Sequence, residues 1–230
     1  MTRLASLIAA FCVVLATIAA ASDHPVVVEL FTSQGCSSCP PADELLHELA
    51  DMDDVIALSL HVDYWDYLGW KDEFASPAFT KRQHNYARAM GEPSVYTPQM
   101  IVGGTDHVVG SRPMKVSKLI QKHSNRPKQV DVVLQRKGSH VVINAASATP
   151  QDMVVYMVRY TPSKTIEIRR GENRGKTLSY ANVVTDWKQV EEWDGTEPLR
   201  AFFPATGTSP VVVIVQRKGF RDVLGAAELR

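Results

Sequence analysis

Gly35-Cys36-Ser37-Ser38-Cys39-Pro40 stands between a short apolar run, Pro25-Val26-Val27-Val28-Glu29-Leu30-Phe31, and the helically spaced residues Ala42, Leu45, Leu46 and Leu49. The run reads as a central strand covered on both faces, and the spaced residues as the inner face of a helix. Pro40 and Pro41 fit only the first turn of that helix, where backbone N–H groups have no helical partner. The two cysteines therefore belong at the helix N-terminus, with Asp43 and Glu44 early in the helix, where its dipole favours acids. Free N–H groups and partial positive charge stabilise a thiolate there. Cys36 is expected to be the attacking sulfur, and Cys39, one turn on, the sulfur that resolves a mixed disulfide. The competing readings are an inert disulfide and, more weakly because the chain has no second CxxC, a zinc site.

Outward from this segment, Val55 to Leu60 reads as a second buried strand that runs into His61-Val62-Asp63-Tyr64-Trp65-Asp66-Tyr67-Leu68-Gly69-Trp70. A helix is expected over Pro77 to Met90, closed by Gly91. Tyr96-Thr97-Pro98-Gln99-Met100-Ile101-Val102-Gly103-Gly104 reads as a proline-led strand and turn, with Val108 and Val109 in its partner and a closing helix over residues 113 to 123. That order resembles the minimal core of thioredoxin-like proteins. The resemblance implies that Thr97-Pro98 is cis and faces the cysteine pair; the alternative is an ordinary trans proline opening an edge strand. The gap from Cys36 to Pro98 is longer than in thioredoxin, and the excess, Asp63 to Phe74, reads as a lid or groove wall. His61 and Asp63 end the strand beside the CxxC strand, so His61 is a candidate to stabilise a thiolate and Asp63 a candidate proton relay for Cys39. The plainer reading makes His61 a hydrogen-bonded structural residue and Asp63 a cap. Thr97 and Trp65 complete the groove candidates, and Tyr64, Tyr67 and Trp70 serve either to grip an extended peptide or simply to pack.

From Gln129 the texture changes to short alternating strands around Val130–Leu134, Val141–Ile143, Val154–Val158, Ile166–Ile168 and Val211–Val215. Turn residues separate them, as in an antiparallel sandwich or small barrel. Gln-Arg-Lys-Gly occurs at 135–138 and again at 216–219, each time after a valine-rich strand, and reads as two similar hairpin turns. The expected fold class is thus an α/β thioredoxin-like domain over residues 22–125 followed by a mainly antiparallel β domain over 126–230. The break falls near Ser124-Asn125-Arg126-Pro127-Lys128.

Residues 1–21 put Arg3 before an apolar run from Leu4 to Ile18 and close on Ala19-Ala20-Ala21, the small-residue pattern of a cleaved signal peptide. The run is shorter than the roughly 20 apolar residues of a membrane span, so the expected product is periplasmic or secreted with no stable membrane insertion. Cys12 would leave with the signal. Cleavage leaves 24 basic residues against 25 acidic ones, a balance with no electrostatic case for nucleic acid or anionic lipid. Cys36 and Cys39 then remain in a compartment where disulfides persist. A staple closing so short a loop removes little unfolded-state entropy, which makes stability a weak reason for the pair.

FTSQGCSSCPPAD, HVDYWDYLGWKDEFASP, YTPQM and RGENRGKTLSYANVV together resemble the exported thioredoxin-like family called domain of unknown function 1223. The resemblance covers nearly the whole chain after residue 21 and implies a CxxC at Cys36 and Cys39, but no substrate. Arg170, Gly171, Glu172, Asn173, Arg174 and Gly175 belong to its pattern, either as a partner-binding loop or as a solvated hairpin turn. The expected function is an exported thiol:disulfide oxidoreductase acting on protein or small-molecule thiols, with Cys36 attacking, Cys39 resolving, Pro98 beside them and no cofactor. One alternative is a copper-binding protein using Cys36, Cys39, His61 or Met100, since soft sulfur ligands suit Cu(I). Another is a binding module in which the CxxC is a passive staple.

Overall fold

The computed structural model describes residues 24–230; the expected signal segment, with Cys12 and the Ala19-Ala20-Ala21 site, lies outside the described residues. In chain order come β1 (Val26–Thr32), α1 (Pro40–Ala50), β2 (Val55–His61), α2 (Pro77–Met90), β3 (Gln99–Val102), β4 (Asp106–Val109) and α3 (Pro113–Ser124). These follow the sequence pattern closely: Pro40, Pro77 and Pro113 each sit in the first turn of a helix, and Gly91 closes α2 in the left-handed conformation. Then come β5 (Val130–Lys137), β6 (His140–Ser147), β7 (Met153–Glu167), β8 (Thr177–Trp193), β9 (Leu199–Pro204), β10 (Val211–Arg217) and β11 (Val223–Leu229). Both Gln-Arg-Lys-Gly segments do close hairpins, β5 to β6 and β10 to β11.

The expected fold class is overturned by the sheet. Among the described residues the protein is mostly β, 43% strand against 19% helix, and a thioredoxin α/β fold is not evident. Eight strands form one mixed sheet in the order β11-β10-β7-β8-β2-β1-β3-β4, and only β5-β6-β9 form a second sheet. β2 is therefore an interior strand, which explains why all seven of its residues are buried. Its junction with β8 is short: one parallel register pair, Ser59 with Val183. Beside it Asn182 adopts φ 47° and its side-chain amide donates to the Ala57 carbonyl at 2.9 Å. Asparagine tolerates the left-handed region better than most residues, and here its side chain satisfies a carbonyl that the bent strand leaves free. β7 and β8 are 15 and 17 residues long, and their far ends carry the 168–176 loop toward the start of α1.

Three apolar cores result. On one face of the large sheet α2 covers Phe31, Ile56, Leu58, Val158, Val212 and Ile214. On the other, α1 and α3 cover Val28, Leu30, Ala57 and Met100, while the small sheet closes over Val155, Met157, Val211, Val213 and Val215. This alternation of in-facing residues along each strand is the period of two that β-structure imposes. No helix among the described residues is long and apolar enough to cross a membrane.

Candidate functional site

Cys36 and Cys39 are joined in a disulfide at the start of α1. Cys39 is the residue that opens the helix, and its carbonyl accepts from Ala42 N–H at 2.8 Å and Asp43 N–H at 3.1 Å. Both cysteines are buried, at 2% and 0% exposure, whereas Ser37 and Ser38 between them are exposed. A disulfide sulfur carries no proton, so hydroxyls that approach it donate. The Cys36 sulfur accepts from Thr97 at 3.3 Å and from Ser38 at 3.4 Å. Thr97 in turn accepts from the Trp65 indole N–H at 2.8 Å. The result is a directed chain, Trp65 to Thr97 to Cys36 Sγ. The Thr97–Pro98 peptide is cis, and Pro98 is buried beside β3.

The remaining sequence candidates take up distinct places. Asp63 accepts from the Thr80 hydroxyl at 2.6 Å and its own N–H donates to that oxygen, so it ties the end of β2 to α2. His61 is fully buried, and its Nδ1 donates to Asp72 Oδ2 at 2.7 Å while its ring meets Tyr180 and Phe74 edge-on. Asp72 also accepts the backbone N–H of Gln34 at 2.8 Å and that of Phe74 at 2.9 Å. The carboxylate thus fastens the 63–74 segment to the loop leading into the CxxC. Met100 lies in the apolar core under α1 and α3. Among the described residues no group of three or more His, Cys, Asp or Glu side chains is arranged to hold a metal ion.

The 63–74 segment packs beside the site through Trp65, which donates to Thr97, and Trp70. Trp70 donates to Gln34 Oε1 at 2.7 Å, and an open groove of about 820 Å³ runs between Trp70 and Lys71 on one side and Arg169 and Arg170 on the other. Tyr64 donates to Gln83, while Tyr67 points to solvent at 77% exposure.

Sequence reasoning missed a buried polar layer on the face of the sheet that α1 covers. Asp43 read as a dipole-favoured acid, but only Glu44 of that pair is exposed. The Asp43 carboxyl is buried and accepts from Thr32 at 2.8 Å; burial pushes its pKa well up, the Thr32 hydrogen bond opposes this, and the charge of Asp72 adds to the rise. Burial likewise raises the Tyr180 phenol, with Asp43 and Asp72 adding to it. Asp43 Oδ2, His61 Nε2, Ser59 Oγ and Tyr180 Oη have no hydrogen-bond partner among the described residues. The sequence signal for this layer was the polar residue at every inward position of β2 after Ala57, namely Ser59 and His61. Asn173 is a site residue that sequence reasoning missed, although its segment, Arg170 to Gly175, belongs to the family pattern: its amide donates to the carbonyls of Gln34 at 3.0 Å and Cys36 at 2.9 Å.

A family model described as protein of unknown function (DUF1223) matches residues 27–216. A crystal structure of a protein from Agrobacterium tumefaciens is 37% identical, with a TM-score of 0.77 over 89% of this chain and 93% of that one. No curated protein matches.

Proposed function

The chain belongs to the DUF1223 family of proteins of unknown function, and from that premise we propose that it is a thiol:disulfide exchange protein, exported by its first 21 residues, that acts on thiols or disulfides of proteins or small molecules. The observation that carries this reading is the pair of hydroxyl donors, Thr97 and Ser38, that address the Cys36 sulfur. Donors aimed at one sulfur favour the thiolate of that residue, and the first turn of α1 adds its partial positive charge. In one direction a substrate thiolate attacks Cys36 Sγ, the S–S bond breaks, and its electron pair goes to Cys39. Asp43 lies one helical turn after Cys39, its N–H donating to the Cys39 carbonyl, and burial raises the proton affinity of its carboxyl, which makes it the candidate to supply the proton that Cys39 takes up. A second substrate thiolate then attacks the mixed disulfide at the substrate sulfur, leaving Cys36 as a thiolate and releasing an oxidised substrate. The reverse sequence oxidises Cys36 and Cys39 with a substrate disulfide as electron acceptor, so atoms and electrons balance either way.

Asp43 takes the relay role that the sequence pattern suggested for Asp63, whose Oδ1 accepts from Thr80 and ties it to α2. The copper reading rests on the sequence alone, and a passive staple leaves the two hydroxyls at Cys36 unexplained. The test is Cys39→Ala in the full chain, purified from an oxidising compartment. It should accumulate mixed disulfides through Cys36 that dithiothreitol releases, while Cys36→Ala should not. Equal, negligible trapping by both variants would leave a passive staple as the better account.

A further inference from the structure

The 168–176 loop joins β7 to β8 and lies far in sequence from the cysteines, yet it ends on them. Gly175 N–H closes the loop on Ile168 O at 2.7 Å, and Gly171 and Gly175 hold φ values of 75° and 82° that other residues rarely adopt. A Cβ at Gly171 would sit 3.2 Å from Trp70 Cβ, so the loop is packed against the same tryptophan that donates to Gln34. Asn173 is 1% exposed, and Lys176 Nζ donates to its Oδ1 at 2.9 Å. That contact fixes the amide orientation, because only the oxygen can accept from an ammonium group. Both Nδ2 hydrogens are then aimed inward, one at Gln34 O and one at Cys36 O.

We propose that Asn173 is a positioning residue for Cys36: its amide clamps the Gln34 and Cys36 carbonyls and so holds the Cys36 sulfur against the Thr97 hydroxyl. The inference rests on the exchange reading and assigns the RGENRG segment to the site. Two consequences follow from the geometry. The clamp fixes the backbone on both sides of Gly35, which is the only residue between the two carbonyls and has no side chain to restrain it. It also places the positive end of an amide dipole beside Cys36, which favours the thiolate. Removing the amide releases the turn and weakens the Thr97 contact. Replacing it with a carboxylate sets like charges against two carbonyl oxygens and the thiolate.

The experiment is alkylation of Cys36 by iodoacetamide in the reduced full-length protein as a function of pH, for the wild type, Asn173→Ala and Asn173→Asp. Below the wild-type midpoint, labelling of Cys36 should fall by roughly threefold to tenfold in Asn173→Ala, and further in Asn173→Asp, as the midpoint moves to higher pH. Unchanged midpoints in variants that unfold at lower temperature would make Asn173 a structural residue and overturn the proposal. If neither variant folds, the side-chain amide protons of Asn173 in the wild type decide the matter. Their NMR resonances should shift between the disulfide and dithiol forms, and identical resonances in the two forms would overturn the clamp. Exchange with glutathione disulfide separates the two levels of argument. A wild type that exchanges while the variants keep its alkylation profile defeats the clamp alone. A wild type that never exchanges defeats the functional reading, whatever the alkylation profiles show.

Discussion

The two faces of the large sheet each bury a polar group of four or more side chains, and they pair it to different degrees: among the described residues, only the Trp187 indole N–H lacks a partner on the α2 face, against four side chains on the α1 face. On the α2 face, Arg82 donates to both oxygens of Glu29, at 2.6 and 2.9 Å, and to Tyr86 at 2.9 Å. Tyr86 donates to Glu29 at 2.6 Å, and Gln216 reaches the same hydroxyl from β10 at 3.1 Å. The guanidinium carbon lies 3.8 Å from the centre of the Trp187 ring, with Tyr86 and Tyr156 at 4.9 and 5.1 Å. On the α1 face, Asp43, His61, Ser59 and Tyr180 each keep an unpartnered polar atom. A buried polar group without a partner costs free energy, and such groups gather where chemistry has a use for them. The paired network reads as a staple holding α2 to β1 and β10; the unpaired one reads as part of the site.

The largest effect should come from breaking the paired face. Arg82→Ala leaves Glu29 buried without its cation, and loss of one partner from such a pair costs about 3–5 kcal/mol. Urea unfolding should show that loss with little change in the reactivity of reduced Cys36. A loss below about 1 kcal/mol would place the network among contacts of no consequence and dissolve the contrast between the faces.

A smaller, pH-dependent effect should come from the unpaired face. The carboxyl of Asp43 has a pKa raised in the folded protein above its ordinary value, so the folded state binds more protons than the unfolded one between the two values. The stability it contributes is fully present below the unfolded pKa, near 4, and is lost as pH rises toward the folded value, by at most about 1.4 kcal/mol per pH unit. Asp43→Asn should remove this decline, which begins above about pH 4, and should slow exchange at Cys39. Parallel stability curves for wild type and variant across that range would show that Asp43 ionises freely and has no special burial.

What the sequence disclosed follows from the same contrast. The strands and helices from β1 to α3 were legible because Pro40, Pro77, Pro98 and Gly91 mark their ends and because β1 and β2 are continuous apolar runs. The cysteine pair was legible from its spacing, and Thr97 only through the resemblance to thioredoxin-like proteins. β8, β9 and β11 were not read as strands. β8 alternates weakly and carries Asp186, Lys188, Glu191 and Glu192 in its outer half, because only Tyr180 to Val184 are consecutively buried. Joining β8 to β2 is a tertiary event that rests on Asn182 in an unusual conformation, and no local pattern announces it. The same holds for Asn173, which lies 137 residues from its partner carbonyl at Cys36.

The central claim is that the Cys36–Cys39 bond opens and closes as part of function. The most direct measurement is the fraction of disulfide in the purified protein at equilibrium with reduced and oxidised glutathione, across a wide range of ratios and approached from both the dithiol and the disulfide side. The account predicts one reversible two-electron transition, reached identically from either side and abolished in Cys36→Ala. A disulfide that stays closed at every ratio in the folded protein, and opens only once the chain is unfolded, would contradict it.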